Sequence, residues 1–260
     1  MIEVTPISAF KDNYIWLIHA ASDNTLPWTA VVDPGDAKSV LSVLKQKNLQ
    51  LNAILNTHHH WDHVDGISAL IKTYPQAQVY GPWNSPVSNI TVRLKEGDAF
   101  DLPDERGSVH IFATPGHTLD HICYYINNHL FCGDTLFSAG CGRLFEGSPE
   151  QMMSSLNKLT QLPTNTYIYC AHEYTQSNLQ FAMEVEPSNT VIQQRADAVA
   201  TLRQEGKPSL PSSLAIETAT NPFLRCDNQE LRQHVEQHAQ KQLLTPLEVF
   251  TELRRWKDNF

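Results

Sequence analysis

Nowhere does the sequence hold an apolar run approaching the roughly 18 residues needed to cross a bilayer. Residues 1–14 carry no basic stretch followed by an apolar one, so no secretory leader is expected and a cytoplasmic location is. Positive charge is in deficit: 19 Lys and Arg stand against 28 Asp and Glu, a net charge of −9. A field of that sign repels nucleic-acid phosphates and anionic lipid, so neither nucleic acid nor membrane is an expected partner. The five cysteines (Cys123, Cys132, Cys141, Cys170 and Cys226) are odd in number, widely spaced and form no C-x-x-C pair. They read as free thiols in a reducing compartment and not as a disulfide framework. No internal repeat and no low-complexity segment is present. What remains, 41% hydrophobic and 18% charged residues over 260 positions, is the balance of a globular protein with a sizeable core.

Short apolar, β-rich runs recur at residues 14–19, 30–33, 53–56, 78–81, 109–114, 122–126 and 167–171. Helical periodicity fits 37–48, where Val40, Leu41, Val43 and Leu44 fall on one side, and again 67–74. A further helix should open at Ser148-Pro149-Glu150-Gln151, with Ser148 as cap, Pro149 at the first helical position and Gln151 closing a capping box. After Tyr174 the strand-like runs stop. Helices are expected at about 176–185, 190–205, 228–240 and 246–258, with the Pro/Ser-rich stretch 207–213 as a loop. The pattern predicts a mixed α and β domain over 1–174 and a helical domain over 175–260.

His58, His60, Asp62 and His63 crowd into six residues directly after the apolar run Ala53-Ile54-Leu55. Packing three imidazoles and a carboxylate so densely brings no folding benefit, because each must be buried with a partner or left in water. A metal role explains it. Imidazoles two apart on extended chain point the same way, and a tight loop would turn Asp62 and His63 to a second position. One zinc ion takes about four ligands, so the run supplies part of two sites and completes neither. Three other residues end strand-like runs as His58 does: His117 after Thr114-Pro115-Gly116, Asp134 after Phe131-Cys132-Gly133, and His172 after residues 167–171. A lone histidine at a strand end is more often a hydrogen-bonded or exposed residue, so His117 and His172 gain weight only from the run. His59 is expected to point away from the metals, and His121 could be supporting or structural.

With these motifs assembled, the sequence resembles the metallo-β-lactamase fold superfamily, and within it the glyoxalase II (hydroxyacylglutathione hydrolase) family. The resemblance rests on Thr57-His58-His59-His60-Trp61-Asp62-His63, Thr114–Thr118, Gly133–Phe137, Gly140-Cys141-Gly142-Arg143, Ala171-His172-Glu173-Tyr174, Asn221–Arg225 and Arg254–Asp258. It implies an α+β fold, a four-layer αββα sandwich with a C-terminal all-helical domain. It assigns His58, His60 and His117 to one metal, Asp62, His63 and His172 to a second, and Asp134 to both. It also implies that Arg143, Tyr174, Arg254 and Lys257 contact the glutathione part of the substrate. Spacing alone would make Arg254 and Lys257 a solvated helix end, where cations favour the macrodipole. Some family members carry a tyrosine where Phe145 stands, so one hydroxyl contact to substrate is missing here.

The activity implied is hydrolysis of the S-D-lactoylglutathione thioester to D-lactate and glutathione, with Asp62 and Asp134 in catalytic positions. Two divalent ions, zinc first and iron or manganese next, are the implied cofactors. A monomer acting on a small molecule is expected. The nearest rival of the same fold is a glutathione persulfide dioxygenase, which uses one iron and oxygen. A metal-dependent RNA-processing enzyme fits the acidic charge poorly, and a non-catalytic binding module fits poorly with seven filled ligand positions.

Overall fold

The computed structural model describes residues 2–22, 25–103 and 107–260. The chain divides into two compact units, Met1–Ala113 with Asp120–Gly133, and Thr114–Leu119 with Asp134–Phe260.

In the first unit a six-stranded sheet runs in the order β1 (Ile2–Ala9), β2 (Asn13–Ser22), β3 (Thr25–Val32), β4 (Ala53–Leu55), β5 (Gln78–Pro82) and β6 (Val92–Leu94). The first three strands are antiparallel neighbours, whereas β3 through β6 pair in parallel. Parallel pairing needs crossovers, and α1 (Ala37–Lys47) and α3 (Ile67–Thr73) supply two of them. Asp36 caps α1 by accepting from the backbone N–H of Lys38 and Ser39, and Asn48 ends it in the left-handed conformation, φ 52°. Val40 and Leu44 of α1 with Ile67 and Leu70 of α3 pack on Ile15, Leu17, Val31, Ile54 and Val79. By alternation Trp16, Ile18, Ala30, Val32 and Leu55 lie on the opposite face, and they too are buried. A sheet covered on both faces explains why β4 reads as an unbroken apolar run.

The same unit holds an antiparallel set in the order β7 (Ala99–Asp101), β8 (Ser108–Ala113), β9 (Ile122–Ile126) and β10 (His129–Gly133), reading from one edge. Tyr124 of β9 is fully buried and donates its hydroxyl to the carbonyl of Asn56 at 2.8 Å, tying this set to the end of β4. The histidine run begins at that end.

The second unit contains the two-residue strands β11 (Leu136–Phe137) and β12 (Gly140–Cys141), helix α4 (Pro149–Leu159), and strands β13 (Tyr167–Cys170) and β14 (Ser212–Ser213). It also contains the helices α5 (Thr175–Val185), α6 (Thr190–Gln204), α7 (Leu214–Thr220), α8 (Gln229–Ala239) and α9 (Pro246–Asp258). The capping boxes of α4 and α9 form as their sequences predict. The short strands β11, β12 and β14 and helix α7 differ from the sequence reading. Strand β14 pairs with β13 inside a stretch read as free of strands, because two residues carry no detectable periodicity. Helix α7, capped by Ser213, went unseen since it is short and interleaved with Thr, a weak helix former.

Candidate metal centre

The first unit gathers the histidine run at the end of β4. Asp33, just past β3 with φ 53°, accepts from the Thr57 backbone N–H and the Thr57 hydroxyl, each at 2.7 Å. The Thr57 proton is thereby committed to Asp33, so across the 3.0 Å contact His58 must donate from Nδ1 to Thr57 Oγ1. That tautomer leaves a lone pair on His58 Nε2, which faces Nδ1 of His60 at 3.1 Å. The imidazoles two positions apart do point the same way.

A different element from the expected loop follows. Residues Trp61–Val64 form a single helical turn, α2, directly after His60. It carries Asp62 and His63 onto one side, with His63 Nε2 3.5 Å from Asp62 Oδ2. Asp62 Oδ2 accepts from the Asn13 amide at 3.0 Å. His63 Nδ1 lies 3.0 Å from Asp33 Oδ2, so one carboxylate orients the backbone after β4 and the ring of His63 together. Carboxylate contacts of this kind fix the tautomer of a metal-binding imidazole. His59 turns to Asp120 instead, Nδ1 to Oδ1 2.9 Å. His121 is buried and stacked on the ring of His58, centroids 4.9 Å apart. Gly133, with φ 46°, is required beside them: a Cβ there would fall 2.4 Å from Thr57 Oγ1 and 2.7 Å from His121 Nε2.

The second unit gathers the dispersed candidates. Asp134 Oδ2 stands 3.3 Å from His117 Nε2 and 3.5 Å from His172 Nε2. His117 Nδ1 donates to the backbone carbonyl of Arg143 at 2.8 Å, which directs its other nitrogen at Asp134. Gly142 cannot be larger, since a Cβ would sit 2.0 Å from the Asp134 carbonyl oxygen. His172 stacks on Tyr174, with centroids 4.8 Å apart and planes within 5°.

Both donor sets fit divalent ions. Metal bonds of about 2.0–2.2 Å in a tetrahedral array place neighbouring ligand atoms roughly 3.3–3.5 Å apart, and the separations here run from 3.1 to 3.5 Å. Neutral imidazole and carboxylate are the ligands zinc, iron and manganese share.

The basic residues meet around an acid that the sequence reading passed over. Asp258 Oδ1 lies 3.4 Å from Arg143 Nε and 3.0 Å from Arg254 Nη2. Arg143 is largely exposed, whereas Arg254 is buried and donates from Nη1 to the Cys141 carbonyl at 3.0 Å. Lys257 donates to the Ser177 carbonyl at 3.4 Å, one turn beyond Tyr174. Burial pushes its ammonium down to about 8; the neighbouring Arg254 charge adds to this and Asp258 opposes it. Phe145 is exposed against the ring of His117, centroids 5.2 Å apart. All five cysteines are buried, and none forms a disulfide. Burial raises Cys141 to about 11 and Cys170 to about 12, so neither is a thiolate nucleophile.

Asp33, Asp120 and Asp258 are the supporting residues that sequence reasoning missed. Asp33 had a usable signal, an acid ending an apolar run as the ligands do. Asp258 had only its i,i+4 spacing from Arg254 on the terminal helix, which says nothing of Arg143.

Two family profiles together cover most of the chain. The profile of the Metallo-beta-lactamase superfamily matches residues 28–172, and that of the hydroxyacylglutathione hydrolase C-terminus matches 173–260. Hydroxyacylglutathione hydrolases from Aeromonas hydrophila and Photobacterium profundum are 51% and 49% identical to it, across the full length of both chains. Among solved structures, ETHE1 from Myxococcus xanthus superposes with a TM-score of 0.65 at 23% identity, over 99% of this chain and 98% of that one. BLEG-1 B3 metallo-beta-lactamase does so with 0.60 at 22% identity, over 86% of this chain and 99% of that one. At those identities the two structures establish the fold alone, α+β of the metallo-β-lactamase type. Helices that pack onto buried sheets, a histidine run at a strand end and full-length identity near one half thus converge: the chain belongs to the hydroxyacylglutathione hydrolase family of the metallo-β-lactamase superfamily.

Proposed function

We propose that this protein hydrolyses the thioester of S-D-lactoylglutathione to D-lactate and glutathione at a centre of two divalent metal ions. The observation that carries the metal part is a single carboxylate oxygen, Asp134 Oδ2, placed between the ligand nitrogens of two histidines. The substrate part rests on relatives named hydroxyacylglutathione hydrolase that match end to end. His58, His60 and His117 would hold one ion, Asp62, His63 and His172 the other, and Asp134 both. Zinc is the favoured metal, with iron or manganese accepted by the same donors. Bound there, divalent ions supply Lewis-acid polarisation of a carbonyl and acidify water near neutral pH.

The residues of the chain do the rest. Asp62, steadied by the Asn13 amide, would orient the attacking water or accept its proton. Asp33 and the Arg143 carbonyl hold His63 and His117 in one orientation, so no reorganisation is needed as charge develops. Arg143, Tyr174, Arg254 and Lys257 would face the glutathione moiety, with cations set for its carboxylates. Residues 1–174 then form the catalytic part and 175–260 the part that adds substrate contacts. Among the described residues no helix is long and apolar enough to cross a membrane. A cytoplasmic monomer acting on a small molecule, without nucleic acid or membrane, is the accompanying proposal.

The test compares thiol release from S-D-lactoylglutathione and from a thioester lacking glutathione. Hydrolysis should be much faster on the first. Equal rates would remove the glutathione assignment while sparing the hydrolase, and oxygen uptake on glutathione persulfide would transfer the reading to a dioxygenase.

A further inference from the structure

The motif Asn221–Arg225 takes no part in the chemistry described so far, yet Asn221 is wholly buried. Its amide donates to the carbonyls of Phe137 at 3.1 Å and Gly140 at 2.9 Å, the two ends of the turn joining β11 to β12. Its own carbonyl oxygen is taken by the Phe223 N–H at 3.1 Å, which fixes the amide orientation. Three further groups of that turn are held by side chains. Asn178 donates to the Ser138 carbonyl at 3.0 Å, and Arg195 donates to the Ser138 hydroxyl at 2.8 Å. The buried carboxylate of Glu217 accepts from the Ala139 N–H at 2.8 Å, and Arg254 donates to the Cys141 carbonyl at 3.0 Å. Ala139 itself is held at φ 55°, a left-handed conformation that a residue with a Cβ rarely adopts.

The Ser138 carbonyl and Ala139 N–H of the turn, and the carbonyls of Phe137, Gly140 and Cys141 flanking it, are thus held by side chains from α5, from α7 with its terminal Asn221, and from α9. Far fewer bonds would keep such a turn folded. What the turn carries explains the density: Asp134 lies two residues before β11, and Arg143, whose carbonyl orients His117, lies two residues after β12. Gly142, just after β12, packs against the Asp134 backbone so closely that a Cβ there would sit 2.0 Å from the Asp134 carbonyl oxygen and 3.2 Å from the His117 Cβ, so the turn and both residues share one contact.

We infer that Asn221, with Glu217 and Asn178 beside it, is a positioning residue for the metal centre, acting through the β11–β12 turn on Asp134 and His117. The helical segment then sets metal affinity in addition to any substrate contact it makes. This inference rests on the reading of Asp134 and His117 as metal ligands.

The experiment measures the chelator concentration that strips half the metal from the purified holoprotein, together with its thermal midpoint. Asn221→Asp retains the acceptor for Phe223 but turns an oxygen toward two carbonyls. Val235→Ala, a large-to-small change in the core of α8, is the control for general loss of stability. Asn221→Asp should release metal at a chelator concentration 10- to 100-fold lower, about the range found when supporting contacts of a metal site are lost. Val235→Ala should retain wild-type resistance at a comparable fall in midpoint. Should Asn221→Asp not fold, Asn178→Ala removes a single donor and should shift the value the same way by less. A folded variant with wild-type chelator resistance, or an equal shift in Val235→Ala, overturns the inference. A wild-type protein that holds no metal refutes the centre itself, a separate result.

Discussion

Two clusters of candidate metal ligands are built here by opposite means. In the first unit His58, His60, Asp62 and His63 are contiguous, and their arrangement is local: an extended step, then one helical turn. A single outside acid, Asp33, fixes the Thr57 backbone, the Thr57 hydroxyl and the His63 ring. In the second unit His117, Asp134 and His172 come from three separate stretches and meet only in the folded chain. Their supports are backbone groups, the Arg143 carbonyl and the β11–β12 turn. The contrast teaches that a contiguous cluster needs one anchor, whereas a dispersed one needs a rigid platform.

The largest expected effect tests whether that contrast in construction hides an equality in function. His60→Ala and His172→Ala should each lower kcat/KM by more than about a hundredfold, exceeding the usual cost of losing a supporting contact. A variant of either cluster that keeps wild-type kcat/KM would remove that cluster from the centre. Next, Asp33→Asn should lower metal affinity or kcat/KM by about 10- to 100-fold, since one side chain orients both His58 and His63. An effect below threefold on both would show that the local run holds its own shape without an anchor. The smallest effect concerns Lys257. Its pKa of about 8 means the ammonium is present below that pH and lost above it. Binding an anionic substrate favours the protonated form, so KM should rise as pH climbs through 8, and by about tenfold in Lys257→Ala at pH 7. The variant should show no such rise with pH; an unchanged KM would place Lys257 outside the substrate contacts.

Much of this was legible in the sequence, for reasons that mark where legibility ends. The His58–His63 run is readable because nothing in folding explains it, and β4 is readable because a strand buried on both faces is wholly apolar. Helix α9 was placed at its observed bounds since Thr245, Pro246 and Glu248 are a complete start signal. Strands β11, β12 and β14 were not seen, being two residues each. Helix α2 was read as a loop because a single turn has no period to detect. Asp258 illustrates the other limit: its pairing with Arg254 is a local i,i+4 contact on α9, but its pairing with Arg143 spans most of the second unit, and no local pattern encodes that contact. The burial of Arg254 was hidden for the same reason, since a charged residue near a helix end looks solvated until its partner, the Cys141 carbonyl, is known.

The account stands or falls on Asp134 as the residue shared by two ions. Elemental analysis of the purified wild-type protein and of Asp134→Ala, after identical dialysis, tests this directly. Two divalent ions per chain in the wild type and loss of metal together with thioesterase activity in the variant are the predicted result. Retention of two ions per chain by folded Asp134→Ala would contradict it.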